Sequence, residues 1–425
     1  MTRGWLAPWK IVWPTCSGPE LLRWRVVRSV FLSCLFALAV SASAADTVAI
    51  LPFFNQQQSR SANLDWIGES VAENIHEALG FAGLLVLARE DREEVYRRLS
   101  VRTAVVLTKA TVMKIGESLD AGRVVFGDFS VEGAENGTSS LKSAIRLTAH
   151  IIDLKRFRET TAITQTGPLE TLSQMQTKLA WLVLRELDPA SSPNEQEFLL
   201  GRPQIRVAAM ENYARAMMAV RPEQRIRLLT QAARLDERFS QPNFQLGKMY
   251  FAKKEYKAAA PWLAKVLRTD SHYMEANYLL GICRYHEGDF DAAARLFRSV
   301  AAEVPLNEVF NNLGAAFSRK GDIAVAEENF RKALEGDSGD PDYWFNVGYA
   351  LWKEGQFEVA ADQFRGVLDR TRDDQEATLL LGRCLKREGP RPGDPRSEGR
   401  ERIKTAFEDS ALRQLQAELK GKKNE

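Results

Sequence analysis

Gly247, Gly281, Gly314, Gly348 and Gly382 stand 34, 33, 34 and 34 residues apart. Twelve residues after each of the first four comes an alanine: Ala259, Ala293, Ala326 and Ala360. Sixteen after comes a large apolar residue: Leu263, Phe297, Phe330 and Phe364. Leu246, Leu280, Leu313, Val347 or Leu381 precedes each glycine. A unit of this length cannot bury an apolar face alone, so a fixed period with recurring residue types means stacked repeats, a solenoid.

Each unit reads as two helices joined by a turn. The turns fall at Lys254-Glu255, Gly288-Asp289, Gly321-Asp322 and Gly355-Gln356, where a left-handed residue is expected to end a helix. The alanine and the large residue in the second helix lie one turn apart on one face. A glycine inside a helix costs about 1 kcal/mol against alanine, so its recurrence requires a packing reason: close approach of two helix axes.

Leu313-Gly314, Phe317, Ala326, Phe330 and Ala333, then Trp344, Val347-Gly348, Ala360 and Phe364, resemble the tetratricopeptide (TPR) repeat. The resemblance places an all-α solenoid over 205–388: a degenerate unit with Tyr213, Leu229 and Ala232, four clear units over Gln241–Asp374, and a final first helix at Gln375–Glu388. It implies a protein or extended peptide held on the concave face formed by the first helices. Phe244, Lys248, Phe251, Tyr278, Tyr285, His286, Asn311, Ser318, Arg319, Phe345, Tyr349, Trp352, Lys353, Arg383, Lys386 and Arg387 fall there. Asn312 and Asn346 lie two residues before their glycines, as does Gln245, where amides of the family hold peptide backbone; Leu279 and Leu380 interrupt the row. Aromatic walls with basic neighbours suit a partner with acidic or aromatic side chains.

The amino terminus reads as an export signal. Arg23, Arg25 and Arg28 precede an uncharged run from Ser29 to Ala45, and Ala42-Ser43-Ala44 offers the small residues of a cleavage site after Ala44. Residues 1–44 are thus expected to be a signal peptide with an unusual three-tryptophan prefix, Met1–Leu22. The alternative is an inner-membrane anchor at 29–45, slightly short of the ~20 residues a span needs. Cleavage implies a periplasmic or exported protein.

Residues 46–187 change period. Thr47–Phe54, Leu84–Ala88, Arg123–Val131, Leu141–Leu154 and Phe157–Gln165 read as strands. Asp65–Leu79, Arg89–Leu99, Thr111–Leu119 and Leu169–Leu187 read as helices, and Asn136-Gly137 as a hairpin turn. The order predicts an α+β module, a mixed sheet with packed helices. Its strands VAILPF, LLVLARED, VVFGDFSVEG and LTAHIIDL resemble the amino-terminal domain of TolB and the related CsgG and FlgO modules. Trp66 is expected to cover a sheet end. Residues 188–204, with Pro189, Pro193 and Pro203, form a linker whose Phe198-Leu199-Leu200 docks. A second linker, 389–399, precedes an amphipathic helix over 400–420, with Ile403, Phe407, Leu412, Leu415 and Leu419 inward as a cap.

Lys and Arg total 58 against 56 Asp and Glu, a balance that gives no reason to expect bulk nucleic-acid binding. His76, His150, His272 and His286 have no metal-ligand spacing, and no phosphate-binding, dinucleotide or hydrolase motif occurs. Cys283 and Cys384 lie three units apart, beyond disulfide reach, and are expected as buried thiols. No cofactor, metal or catalytic residue is assigned. An enzyme would have to use Asp65, Glu69, Glu73 or Asp128; Glu69 and Glu73, one turn apart, read as a solvated face. The expected function is a non-enzymatic adaptor of the bacterial cell envelope, the alternative an assembly factor in secretion or outer-membrane biogenesis.

Overall fold

The structure, a computed structural model, describes residues 47–56, 64–102, 106–132, 142–190, 192–391 and 393–406. The expected leader, the Asn136-Gly137 turn and the stretch from Phe407 onward lie outside these residues. Among the described residues no helix is long and apolar enough to cross a membrane.

The first expected strand forms in two pieces. β1 (Val48–Ile50) and β2 (Phe54–Asn55) both run parallel to β3 (Arg123–Val131). The break falls at Pro52, which has no N–H for a ladder. The Phe53 N–H then donates to the Gly68 carbonyl, 3.2 Å away, instead of to the sheet. β4 (Ala144–Asp153) is antiparallel to β3, and β5 (Arg158–Glu159) and β6 (Ile163–Pro168) pair with its other edge. The strand expected over 84–88 is one parallel bridge, Val48 to Val86, because the chain enters the next helix at Arg89.

Alternation along β3 and β4 divides the core. Val125, Phe129, Ile145 and Leu147 face α1 (Trp66–Phe81) and α4 (Leu172–Leu187). Val124, Phe126 and Ile152 face α2 (Arg89–Arg98) and α3 (Lys109–Ser118). Trp66 is buried, as expected of a residue covering the sheet. Within 188–204, α5 (Glu195–Leu200) forms; Phe198 is buried and Leu200 exposed. Met210 and Ala214 of α6 (Val207–Met218) join the core of α1 and α4. The helical half therefore continues the sheet's core.

The array proceeds through α7 (Pro222–Leu235), α8 (Ser240–Ala252), α9 (Tyr256–Leu263), α10 (Tyr273–His286) and α11 (Phe290–Glu303). It ends with α12 (Asn307–Lys320), α13 (Ile323–Gly336), α14 (Pro341–Lys353), α15 (Phe357–Arg370) and α16 (Gln375–Leu385). The glycine period has a direct cause. A Cβ at Gly247 would sit 2.5 Å from Leu263, and at Gly281 or Gly314 it would sit 2.7 Å from Phe297 or Phe330. Gly247, Gly281, Gly314 and Gly348 thus each receive the large residue sixteen positions on. The turns need a left-handed residue: Gly288, Gly321 and Gly355 have φ of +83°, +91° and +79°, and Lys254 occupies the same position at +60°. Cys283 and Cys384 are free, buried thiols.

Candidate functional site

The inner wall of the array is covered by the chain's own later segment. Residues 400–406, expected as the start of a helix, are not helical. Their peptide groups are engaged by the wall. The Asn346 side chain accepts from the Arg402 N–H (2.9 Å) and donates to the Arg402 carbonyl (2.8 Å). Asn312 does the same for Lys404, at 2.8 and 2.7 Å. Asn311 donates to the Arg402 carbonyl (2.8 Å) and accepts from Asn346 (2.7 Å). The Tyr278 hydroxyl donates to the Lys404 carbonyl at 2.8 Å. Two amides on neighbouring units thus grip alternate residues, Arg402 and Lys404, the register in which an extended chain presents its peptide groups to one side.

Side chains alternate accordingly. Glu401 points into the wall, where the Ser318 hydroxyl donates to it at 2.6 Å and the Tyr285 hydroxyl lies at 3.4 Å. The Lys353 ammonium is 3.8 Å away, and burial pulls its pKa below the usual lysine range. Ile403 packs on the helical core. Arg402 turns to the rim: its guanidinium lies 3.7 Å from the centre of the Phe345 ring and makes paired bonds of 2.8 and 2.9 Å to Asp374. Lys404 reaches Asp340 (2.6 Å) and Asp342 (2.7 Å). Burial opposes both charges, but these hydrogen bonds outweigh it: the Asp374 pKa is lowered and that of Lys404 raised.

Upstream of this stretch, the Tyr349 hydroxyl donates to the Ser397 carbonyl and the Trp352 indole to the Glu388 carbonyl, each at 2.8 Å. Arg383 pairs with Asp394 at 3.0 Å. Arg319 stacks over Phe290 at 4.8 Å and abuts Gly399.

The wall therefore gathers most of the residues expected on it: Tyr278, Tyr285, Asn311, Asn312, Arg319, Phe345, Asn346, Tyr349, Trp352, Lys353 and Arg383. Others have different surroundings. Phe244 stacks on His272 at 4.3 Å, Lys248 pairs with Glu275 at 3.2 Å, and Phe251 meets Tyr256 edge-on. His286 stacks on Tyr256 at 4.1 Å, and Lys386 is exposed at the end of α16. The acidic rim was missed in the sequence. Asp342, Asp374 and Glu376 open their helices, and acids in that position read as helix-end residues. The chain's own segment on the wall carries one carboxylate, Glu401, between Arg400 and Arg402.

A second polar concentration lies between α1 and the start of the array, around a cavity of about 270 Å³. Glu73, His76 and Glu77 face Phe244, Asp270 and His272 across it. Burial raises the Glu73 pKa to about 7 and that of Glu77 to about 8, and pushes His76 down to about 4. Glu69 lies beneath α2, 2.7 Å from Arg92 and 2.9 Å from Arg89. The face of α1 bearing Glu69 and Glu73 is thus enclosed rather than solvated, because α2 brings two guanidinium groups over it. Asp65 and Asp128 accept from Asn55 (3.4 Å) and Gln56 (2.7 Å).

Family models of the tetratricopeptide repeat match residues 250–316, 311–374 and 348–389. Among solved structures, the chain is similar to MamA 41-end from Desulfovibrio magneticus RS-1, with 21% identity, 39% of this chain and 95% of that chain covered, and a TM-score of 0.35. It is also similar to YrrB, described as a TPR protein with an unusual peptide-binding site, with 21% identity, 45% and 97% coverage, and a TM-score of 0.33. No curated protein matches the sequence. Residues 250–389 are built of tetratricopeptide repeats, modules that bind proteins or peptides.

Proposed function

We propose that this chain is a non-enzymatic adaptor of the bacterial cell envelope that holds a protein partner as an extended segment along its inner wall. The observation behind this is the pair of amide clamps. Asn346 and Asn312 each bond both the N–H and the carbonyl of one backbone residue, a grip that depends on an extended main chain rather than on one side chain. The basic, apolar and small-residue order of Arg23–Ala44 supports export, and the resemblance of the sheet module to TolB, CsgG and FlgO supports an envelope setting. Crosslinking of the tagged full chain in cells, followed by affinity capture, is expected to recover a protein that an Asn312→Ala, Asn346→Ala double variant does not. Equal recovery by both would refute the wall as the binding surface.

The envelope-module resemblance also favours a narrower role in secretion or outer-membrane biogenesis. Fractionation separates the two: an assembly factor is expected to sediment with outer membrane, a free adaptor with the periplasmic contents.

A further inference from the structure

The wall does more than grip a backbone; its side-chain pockets select. The Glu401 side chain is fully buried, and an acid removed from water requires donors. Ser318, Tyr285 and Lys353 supply them. The next residue meets an aromatic face and a paired carboxylate, Phe345 and Asp374, whose flat geometry fits guanidinium better than ammonium. The third residue, Ile403, sits on apolar surface. The fourth reaches two carboxylates, Asp340 and Asp342, with the Tyr343 ring 5.2 Å from its ammonium. The order read by the wall is acid, arginine, apolar, lysine.

This occupant is tethered. Gly389-Pro390 begins a short, breaker-rich connection between α16 and the segment. A short flexible linker gives an effective local concentration of ~mM, so a tethered ligand outcompetes a free one of equal intrinsic affinity.

We infer that residues 397–404 are a built-in competitor: the wall's external ligand is an extended protein segment of the order acid–Arg–apolar–Lys, and it enters by displacing this tail. The inference rests on the reading of the wall as a partner site. It commits to a segment in another protein, rather than the same tail of a second copy. Three donors converge on the one buried carboxylate of this order, Glu401, and the clamps, which touch only main-chain atoms, would hold any backbone of that register.

The test uses the full chain with its tail weakened by Arg402→Ala and Lys404→Ala, and a labelled peptide with the sequence of residues 396–406 as probe. The weakened variant is expected to bind the peptide roughly 100-fold more tightly than the unaltered chain, which the tether protects. Adding Asn346→Ala is expected to abolish binding, and a peptide with the acid and arginine of the motif exchanged is expected not to bind. Circular dichroism and the unfolding midpoint confirm that each variant is folded; if the double variant is not, Arg402→Ala alone is used and must still bind the peptide more tightly than the unaltered chain. A folded, weakened variant that binds no better than the unaltered chain, or binds the exchanged peptide equally, overturns the inference. So does a concentration-dependent dimer of the unaltered chain that dissociates on tail weakening, which would assign the wall to a second copy. The broader reading fails differently: the variant would bind the peptide yet capture no partner from cells. Capture of a partner that the peptide does not displace leaves that reading intact and removes this one.

Discussion

The clearest residue-scale contrast is between two glycines of the same series. Alanine at Gly314 places a Cβ 2.7 Å from the Phe330 ring and 3.0 Å from the Ala326 carbonyl, and overpacking of this kind costs about 1–3 kcal/mol. At Gly382 the same Cβ meets nothing within 4 Å, since no second helix of that unit lies among the described residues. Gly382→Ala is therefore expected to stabilise by up to ~1 kcal/mol through helix propensity. Denaturant unfolding of both variants checks the opposite signs. Gly68→Ala should be the most damaging, at about 3 kcal/mol or more, because its Cβ falls on the Phe53 carbonyl at the break between β1 and β2.

Glu77 supplies a pH dependence at the same scale. Its folded pKa of about 8 lies above the ordinary 4.5 because burial disfavours its charge, and Asp270 adds to this while His272 and Arg202 oppose it. The folded state keeps this proton longer than the unfolded one. The contribution is complete below pH 4.5 and is lost as pH rises toward 8. Glu77→Gln keeps the neutral shape and removes the titration. Its melting temperature, measured relative to the unaltered chain, is expected to rise progressively from about pH 5 to about pH 8.5. A constant difference would refute the assignment.

At the scale of elements, the repeat was legible because its physics is local. The glycine and the large residue sixteen positions later meet across one hairpin, and Gly288, Gly321 and Gly355 take the left-handed turn that their type favours. Lys254 occupies the equivalent turn, exposed, at a φ of +60°. A non-glycine residue there costs about 1–2 kcal/mol, so Lys254→Gly is expected to stabilise by about 1 kcal/mol, read by thermal unfolding. The strand expected over 47–54 was broken by Pro52 and by a bond to Gly68, a partner the strand pattern itself does not reveal. The segment beginning at Arg400 misled for the opposite reason. Its spacing of Ile403 and Phe407 fits a helix, and the charged, charged, apolar, charged order of Glu401–Lys404 carries no period-2 signal for an extended chain. The choice lies with Asn312 and Asn346, 92 and 56 residues away. Asp374 was concealed similarly: it accepts from the Ala377 N–H, a capping role visible in sequence, and binds Arg402 as well.

At the scale of the whole molecule, the tail makes the array a closed object without adding regular structure. The amide protons of Arg402 and Lys404 are bonded to side chains of the wall, so hydrogen exchange is expected to show both protected although neither lies in a helix or strand. High salt should weaken that protection, because screening at ~1 M reaches down to ~3 Å and the rim pairs of Arg402 and Lys404 are only partly buried. Rapid exchange at both sites in low salt would contradict the docked arrangement.

The order of the chain gives this arrangement a history. A polypeptide is made from its amino terminus, so the repeats precede the segment that covers them. Under the inference above, a partner that reaches the wall before residues 397–404 dock meets no competitor, whereas one arriving later must displace them.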